Sequence, residues 1–378
     1  MTPASSITSF LAERIGAGDF PSAVYLVAQR GREVFADAVG NSVVEPQEIP
    51  ATLDTIYDVA SLTKPLITGM LSARRVETGQ LTLNGPASRY LPEFDRTDKK
   101  TITIAQLLTH TSGLPAWRRL YNLAGGEPDR AISAIANIEL EYTPGTRVVY
   151  SDLGFIVLGL LLERLTTTSL AQMARTEIFD PLSLKRTFFN PDISMQTGIA
   201  ACETGNAYER ELCRDRDPND QKKWRQELIW GEVHDGNAHF LGGAAGHAGL
   251  FSTAGETLKL ASQFLASQTK LLQPATCDLF RKNLTMGLEE ARSFGWQLAA
   301  TKDSAAGSDL PPDSFGHSGF TGTSCWIDPN RERIFILLTN RTHARALPFV
   351  NINSVRRRFH SLAVAALPQA QPLKVLDI

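Results

Sequence analysis

Strand-like runs lie at both ends of this chain, while the middle reads mostly as helices and loops. Ser22-Ala-Val-Tyr-Leu-Val-Ala28 and Val34-Phe-Ala-Asp-Ala-Val39 flank Gln29-Arg-Gly-Arg-Glu33, a β-hairpin pattern with glycine in the turn. Thr55–Val59 is a third short run. Far downstream, Ser293–Ala299, Ser324–Ile327 and Arg333–Thr339 are strand-like again, the last two joined through Asp328-Pro-Asn330. Helical spacing marks 6–17, through Ile7, Phe10, Leu11 and Ile15, and a closing helix over 350–366. Between the ends, 152–167 is a strongly apolar helix after the turn Thr143-Pro-Gly145. This order predicts an α+β fold of the α/β-sandwich type: one antiparallel sheet assembled from both termini, flanked by helices, with a helical lobe inserted. We expect one domain over 1–378, with a sheet lobe of about 1–60 and 285–378 and a mainly helical lobe of about 61–284. The segment 201–231, polar, charged and without period, is expected to be a long surface loop.

The 378 residues suffice for a substantial core, and 38 basic against 40 acidic side chains leave a net charge of −2. That balance gives no electrostatic case for nucleic acid or an anionic membrane surface, so the expected partner is a small or neutral molecule. The N-terminus lacks a basic start followed by a long apolar core, and no apolar run approaches the ~18 residues of a membrane helix. The expectation is a cytoplasmic protein with no membrane partner. Cys202, Cys213, Cys277 and Cys325 have neither metal-ligand spacing nor the density of a disulfide scaffold; Cys202 and Cys213 form the one conceivable pair, and free thiols are expected.

The segment Asp58-Val-Ala-Ser61-Leu-Thr-Lys64-Pro65 places a serine three residues before a lysine where an apolar run turns into a helix with Leu62, Leu66, Met70 and Ala73 on one face. Residues three apart on a helix are neighbours, so the Lys64 amine is expected beside the Ser61 hydroxyl. Such contact is what a weak hydroxyl nucleophile requires. Alone, the tetrapeptide equally describes a helix N-cap followed by a solvated lysine. A second copy, Ser267-Gln-Thr-Lys270, ends a helix rather than opening one. His234, Asp235, His239 and His247 lack a recognised zinc spacing and are expected in a loop near the site. Ser318 in Gly316-His-Ser-Gly-Phe320 lacks the second glycine of a nucleophile elbow and is rejected as nucleophile. His110, Trp117 and Trp326 are assigned no chemistry.

Two further segments complete a pattern: Tyr150-Ser-Asp152 and Gly316-His-Ser-Gly319. Together with Ser61 and Lys64, their order resembles the serine β-lactamase and penicillin-binding-protein superfamily. The nearer resemblance is to the class C β-lactamase, D,D-peptidase and esterase branch, whose second motif is Tyr-x-Asn and whose third is Lys-Thr-Gly or His-x-Gly. Leu107-Leu-Thr-His-Thr-Ser-Gly-Leu-Pro115 and Gly246-His-Ala-Gly-Leu-Phe-Ser-Thr-Ala254 agree with that branch, and the resemblance spans about residues 20 to 345.

The resemblance implies a β-lactamase-like fold and an acyl-enzyme on Ser61, with Lys64 and Tyr150 sharing its proton and no metal or organic cofactor. It implies an oxyanion hole from the Ser61 and Phe320 backbone N–H groups, with His317, Ser318 and Gly319 supporting the substrate. Lys64, and His317 if charged, would stabilise a Tyr150 phenolate. Two departures bear on the substrate. Asp152 replaces the usual asparagine and cannot donate to a substrate amide carbonyl, although it can hold Lys64 charged. His317 replaces the frequent lysine and offers a pH-dependent cation for a substrate carboxylate. The implied function is a serine hydrolase of small-molecule esters or amides, foremost a carboxylesterase-like one. The alternatives are a β-lactamase or D-amino-acid peptidase or amidase, and a non-catalytic acyl-binding sensor.

Overall fold

A computed structural model describes residues 3–95, 97–213 and 224–367. Among the described residues nine strands form, in chain order: β1 (Ser22–Gln29), β2 (Arg32–Val43), β3 (Ile49–Pro50), β4 (Tyr57–Asp58), β5 (Phe251–Ser252), β6 (Gln297–Leu298), β7 (Phe315–Ser318), β8 (Ser324–Asp328) and β9 (Arg333–Thr339). Seven of them make one sheet in the order β3-β2-β1-β9-β8-β7-β6, while β4 and β5 pair apart from it. Every pairing in the large sheet is antiparallel. The expected sheet from both termini is present, closed by the β1–β9 pair.

That central pair carries the alternation expected of a strand buried on both faces. Val24, Leu26 and Ala28 lie opposite Leu338, Ile336 and Ile334, and all six enter the apolar core shared with the helical region. Ala23, Tyr25 and Val27 face the other way, into a second core with Phe335 and Leu337. The second core is covered by helix α1 (Pro3–Gly16) and the closing helix (Asn353–Ala366), through Ile7, Leu11, Val355 and Phe359. The first is covered by helices from the middle of the chain, including α2 (Met70–Glu77) and α3 (Asp152–Thr166). Helix α3 is apolar nearly all round and is correspondingly buried; Ser151 caps it, its Oγ accepting from Gly154 N at 3.2 Å.

Two expectations need correction, and one strand is additional to those expected. The run 293–299 yields only the two-residue β6, because Gly295 adopts φ +79° and breaks the extended path, leaving Phe294 and Trp296 packed in the core. The strand Phe315–Ser318 was hidden by Gly316, where a Cβ would lie 2.1 Å from the Trp326 ring; glycine lets that indole lie across β7. The segment 201–231 is not simply a surface loop. Ala201, Cys202 and Glu203 are buried, and Ala207–Cys213 forms helix α4; residues 214–223 lie outside the described residues.

All four cysteines are buried, and none forms a disulfide among the described residues. No single helix among the described residues is long and apolar enough to cross a membrane.

Candidate active site

The turn that carries Ser61 is built before the serine itself. Asp58, buried at the end of β4, accepts from Ala60 N at 2.8 Å through Oδ1 and from His234 N at 2.8 Å through Oδ2. The first of these bonds braces Ala60 at φ +49°, a left-handed conformation uncommon for alanine, immediately ahead of Ser61. Instead of a regular α-helix from Ser61 onward, a 3₁₀ turn over Ala60–Leu62 leads into a π-helical stretch over Lys64–Gly69 and then α2. Pro65 supplies no N–H to an α-helical ladder at that point. The apolar face still forms as expected, with Leu62, Leu66, Met70 and Ala73 fully buried.

This turn brings Lys64 Nζ to 2.9 Å from Ser61 Oγ. The amine is completely buried and has two further partners: Asp152 Oδ1 at 2.7 Å and the His247 carbonyl at 3.0 Å. Asp152 opens α3, so the sequence-predicted carboxylate meets the lysine itself. Burial pulls the Lys64 pKa down, but Asp152 and Tyr150 together outweigh it and leave the amine above its ordinary value. Lys64 is therefore an ammonium that donates to Ser61 and the His247 carbonyl and pairs electrostatically with Asp152.

Tyr150 completes the group. Its ring centroid is 5.0 Å from Lys64 Nζ, and its hydroxyl interacts with both Ser61 and Lys64. Burial pushes the phenol above its ordinary value, Lys64 pulls it back, and Asp152 adds to the rise. The resting tyrosine is neutral.

His317 is buried in β7 at 5.7 Å from the Tyr150 ring, and its Nδ1 is 3.0 Å from the Ser318 carbonyl, which fixes that nitrogen as the protonated one. Burial, Lys64 and Arg292 hold its pKa well below the ordinary histidine value. The expected pH-dependent cation is thus a neutral imidazole at neutral pH. Its burial under two existing cations is the cause.

The third-motif loop is stitched to the serine turn. Thr321 Oγ1 donates to the Asp58 carbonyl at 2.8 Å and Thr323 Oγ1 to the Val59 carbonyl at 2.9 Å. Gly319 sits in the seam, where a Cβ would lie 2.1 Å from Thr323 Oγ1 and 2.6 Å from the Val59 carbonyl. The Phe320 N–H has no acceptor among the described residues. Ser61, Phe320, Trp117, Tyr208, Asp152 and Asp235 are among the walls of one cavity of about 190 Å³. Ser61, Lys64, Tyr150, Asp152, His317, Gly319 and Phe320 are all brought to this region. Ser318 is half-buried and gives its carbonyl to His317.

Several contributors were missed. His110, within the quoted Leu107–Pro115 motif, stacks 4.6 Å from Tyr150 and accepts from Ser151 N at 3.0 Å, fixing the residue between Tyr150 and Asp152. Arg292 lies 5.7 Å from the same ring, and nothing in its flanking sequence marks it. His247 serves through its carbonyl, while its ring binds Asp235 at 2.8 Å. His234 binds Glu203 at 2.8 Å, and His239 is half-exposed near Glu232. These histidines occupy separate pairs, and among the described residues no three ligand-type side chains converge. The second Ser-x-x-Lys has no such meeting: Ser267 Oγ donates to Glu332 on the surface.

A family model described as Beta-lactamase matches residues 7–354. A putative D-alanyl-D-alanine carboxypeptidase of Escherichia coli (strain K12) is 30% identical over 367 residues, covering 89% of this chain and 81% of that protein. Among solved structures, EstCE1, a hydrolase with promiscuous acyltransferase activity, aligns with a TM-score of 0.73 at 24% identity, over 96% of this chain and 98% of its own. A family VIII carboxylesterase aligns with a TM-score of 0.70 at 20% identity, over 97% of this chain and 98% of its own.

Proposed function

The chain belongs to the Beta-lactamase family of serine hydrolases, and from that premise we propose that it is a carboxylesterase-like member acting through an acyl-enzyme on Ser61. The observation that carries this reading is the 2.9 Å contact between Lys64 Nζ and Ser61 Oγ at the cavity wall. Tyr150, once its phenol has lost a proton to solvent, takes the Ser61 proton as the hydroxyl attacks the ester carbonyl, and Lys64, kept cationic by Asp152, stabilises the phenolate beforehand. The phenol then returns the proton to the departing alkoxide. In deacylation the same oxygen takes a proton from water. Backbone N–H groups of Ser61 and Phe320 receive the oxyanion.

The features around the catalytic group favour an ester over a D-alanyl peptide or a β-lactam. Asp152 has no N–H for a substrate amide carbonyl and is already occupied by Lys64. A carboxylate next to the scissile bond calls for a cation, yet His317 is neutral and Arg292 is buried against Glu290, with Nη2 at 2.6 Å from Oε2. The aromatic walls Trp117, Tyr208 and Phe320 suit an uncharged acyl or alkoxy group.

The test is parallel turnover of p-nitrophenyl butyrate, a chromogenic cephalosporin and a D-alanyl-D-alanine peptide by wild type and Ser61→Ala. Ester turnover that disappears in Ser61→Ala, with slow cephalosporin and peptide hydrolysis, is the expected result. Faster turnover of the cephalosporin or the peptide than of the ester would overturn the substrate assignment. A stable acyl adduct without turnover would make the protein a sensor.

A further inference from the structure

Two guanidinium groups stand behind the third-motif loop without a carboxylate partner among the described residues. Arg356, in the first turn of α5 (Asn353–Ala366), is 5% exposed; its Nη2 donates to the Gly319 carbonyl at 2.9 Å and the Thr323 carbonyl at 3.1 Å, and its Nη1 to Asn353 Oδ1 at 2.8 Å. Arg341 donates from Nε to the Phe320 carbonyl at 2.6 Å and from Nη1 to the Val350 carbonyl at 2.7 Å, with its guanidinium 4.9 Å from the Phe320 ring centroid. Neither makes an ion pair among the described residues, although other buried arginines of the chain, such as Arg75 and Arg292, do. Burying a cation without a counterion is costly, so a fold that retains one beside its site gains something from the charge. Burial, helped by Arg341, pushes the Arg356 pKa down to about 9, which leaves it cationic at neutral pH.

The carbonyl that Arg356 holds belongs to the same peptide unit as the Phe320 N–H. That unit is not among the cis peptides of the chain, and in a planar trans peptide the C=O and N–H point in opposite directions. Helix α5 packs on the sheet face opposite the helical core, so the bond draws the Gly319 oxygen away from the cavity. The Phe320 N–H, without an acceptor among the described residues, is thereby turned to the side that Phe320 and Ser61 line. A cation on the carbonyl also polarises the amide and strengthens its N–H as a donor.

We propose that Arg356, assisted by Arg341, is a positioning residue for the oxyanion hole: it orients and polarises the Gly319–Phe320 peptide and supplies positive potential where the oxyanion develops. This rests on the acyl-enzyme reading above. As the bond from Ser61 Oγ to the substrate carbon forms, the carbonyl π pair moves onto oxygen, and the negative charge falls against an amide whose far end is bound to a guanidinium.

Kinetics of Arg356→Gln, Arg356→Lys and Arg341→Gln with p-nitrophenyl butyrate, together with inhibition by phenylboronic acid, test the proposal. The boronic acid forms an anionic tetrahedral adduct with the serine and so reports oxyanion stabilisation apart from substrate binding. Arg356→Gln is expected to lower kcat about 10–100-fold with KM within about threefold, and to raise the boronic acid Ki by a similar factor. Arg356→Lys should recover most of both, and Arg341→Gln should show a smaller parallel loss of about 3–10-fold. A folded Arg356→Gln with unchanged kcat and Ki, or with kcat reduced and Ki unchanged, overturns the proposal. If Arg356→Gln does not fold, Arg341→Gln decides, since unchanged kcat and Ki there overturn it equally. Ser61→Ala separates the two readings. Turnover surviving that substitution removes the acyl-enzyme and this inference together, whereas loss of turnover with indifferent arginine variants removes the inference alone.

Discussion

Asp152 Oδ1 lies 2.7 Å from Lys64 Nζ, and the amine lies in turn 2.9 Å from Ser61 Oγ, so the acid that opens α3 sets the charge state of the lysine at the serine. The same carboxylate disfavours ionisation of Tyr150. It therefore stabilises the cation of the group while making the base harder to form.

Replacing Asp152 by asparagine tests this opposition. Because Tyr150 is raised in the resting protein, kcat/KM for an ester should climb with pH through neutrality into the alkaline range. In Asp152→Asn the negative charge that raises the phenol is gone, so the rising limb should move to lower pH. The amide also regains a donor for a substrate carbonyl, and the ratio of cephalosporin to ester turnover should increase. The pH–rate profiles of the two proteins measure both effects, and a limb displaced to higher pH would contradict the assignment.

Gly319→Ala should damage stability and activity together. The new methyl would meet Thr323 Oγ1 and the Val59 carbonyl inside contact distance, and the second is backbone that cannot step aside. A loss of about 1–3 kcal/mol is expected from overpacking, and kcat should fall about 100-fold as the loop shifts from the serine turn. Gly16→Ala, where nothing lies within 4 Å, is the control and should change neither. Denaturant titration and ester kinetics read the two effects.

His360 gives the fold an acid-labile point away from the site. It is buried in α5 with Nδ1 at 3.1 Å and 3.0 Å from the Ala305 and Ala306 carbonyls, and burial pushes its pKa down to about 4. The unfolded chain takes up a proton near pH 6.5 that the folded protein refuses, so the depressed pKa costs stability as pH falls from about 6.5 to about 4, by roughly 3 kcal/mol. His360→Asn keeps a donor for the carbonyls and should show a correspondingly shallower loss over that window. Equal pH dependence in urea unfolding of both proteins would refute this.

What the sequence made legible was local and periodic. The apolar runs in Ser22–Gln29 and Arg333–Thr339 mark the two central strands, and the Ser61–Lys64 spacing predicts their contact even though the helix type differs. Side chains that act across long separations left no such signal. Arg356 reaches the third motif from the closing helix, where it reads as one of three consecutive arginines. The His247 carbonyl holds Lys64 through a backbone atom that any residue would offer. His317 looked like a cation because its burial beside Lys64 and Arg292 is a property of the fold, not of Gly316-His-Ser-Gly319. The strand Phe315–Ser318 was concealed for a related reason: its glycine is explained only by Trp326 on the neighbouring strand.

The most direct measurement is the site of covalent labelling by diethyl p-nitrophenyl phosphate, followed by intact and peptide mass spectrometry of wild type, Lys64→Ala and Ser61→Ala. The account predicts one diethylphosphoryl group on the peptide containing Ser61, formed about 100-fold or more slowly in Lys64→Ala and absent in Ser61→Ala. Labelling of another residue, or equal labelling of Ser61→Ala, would contradict it.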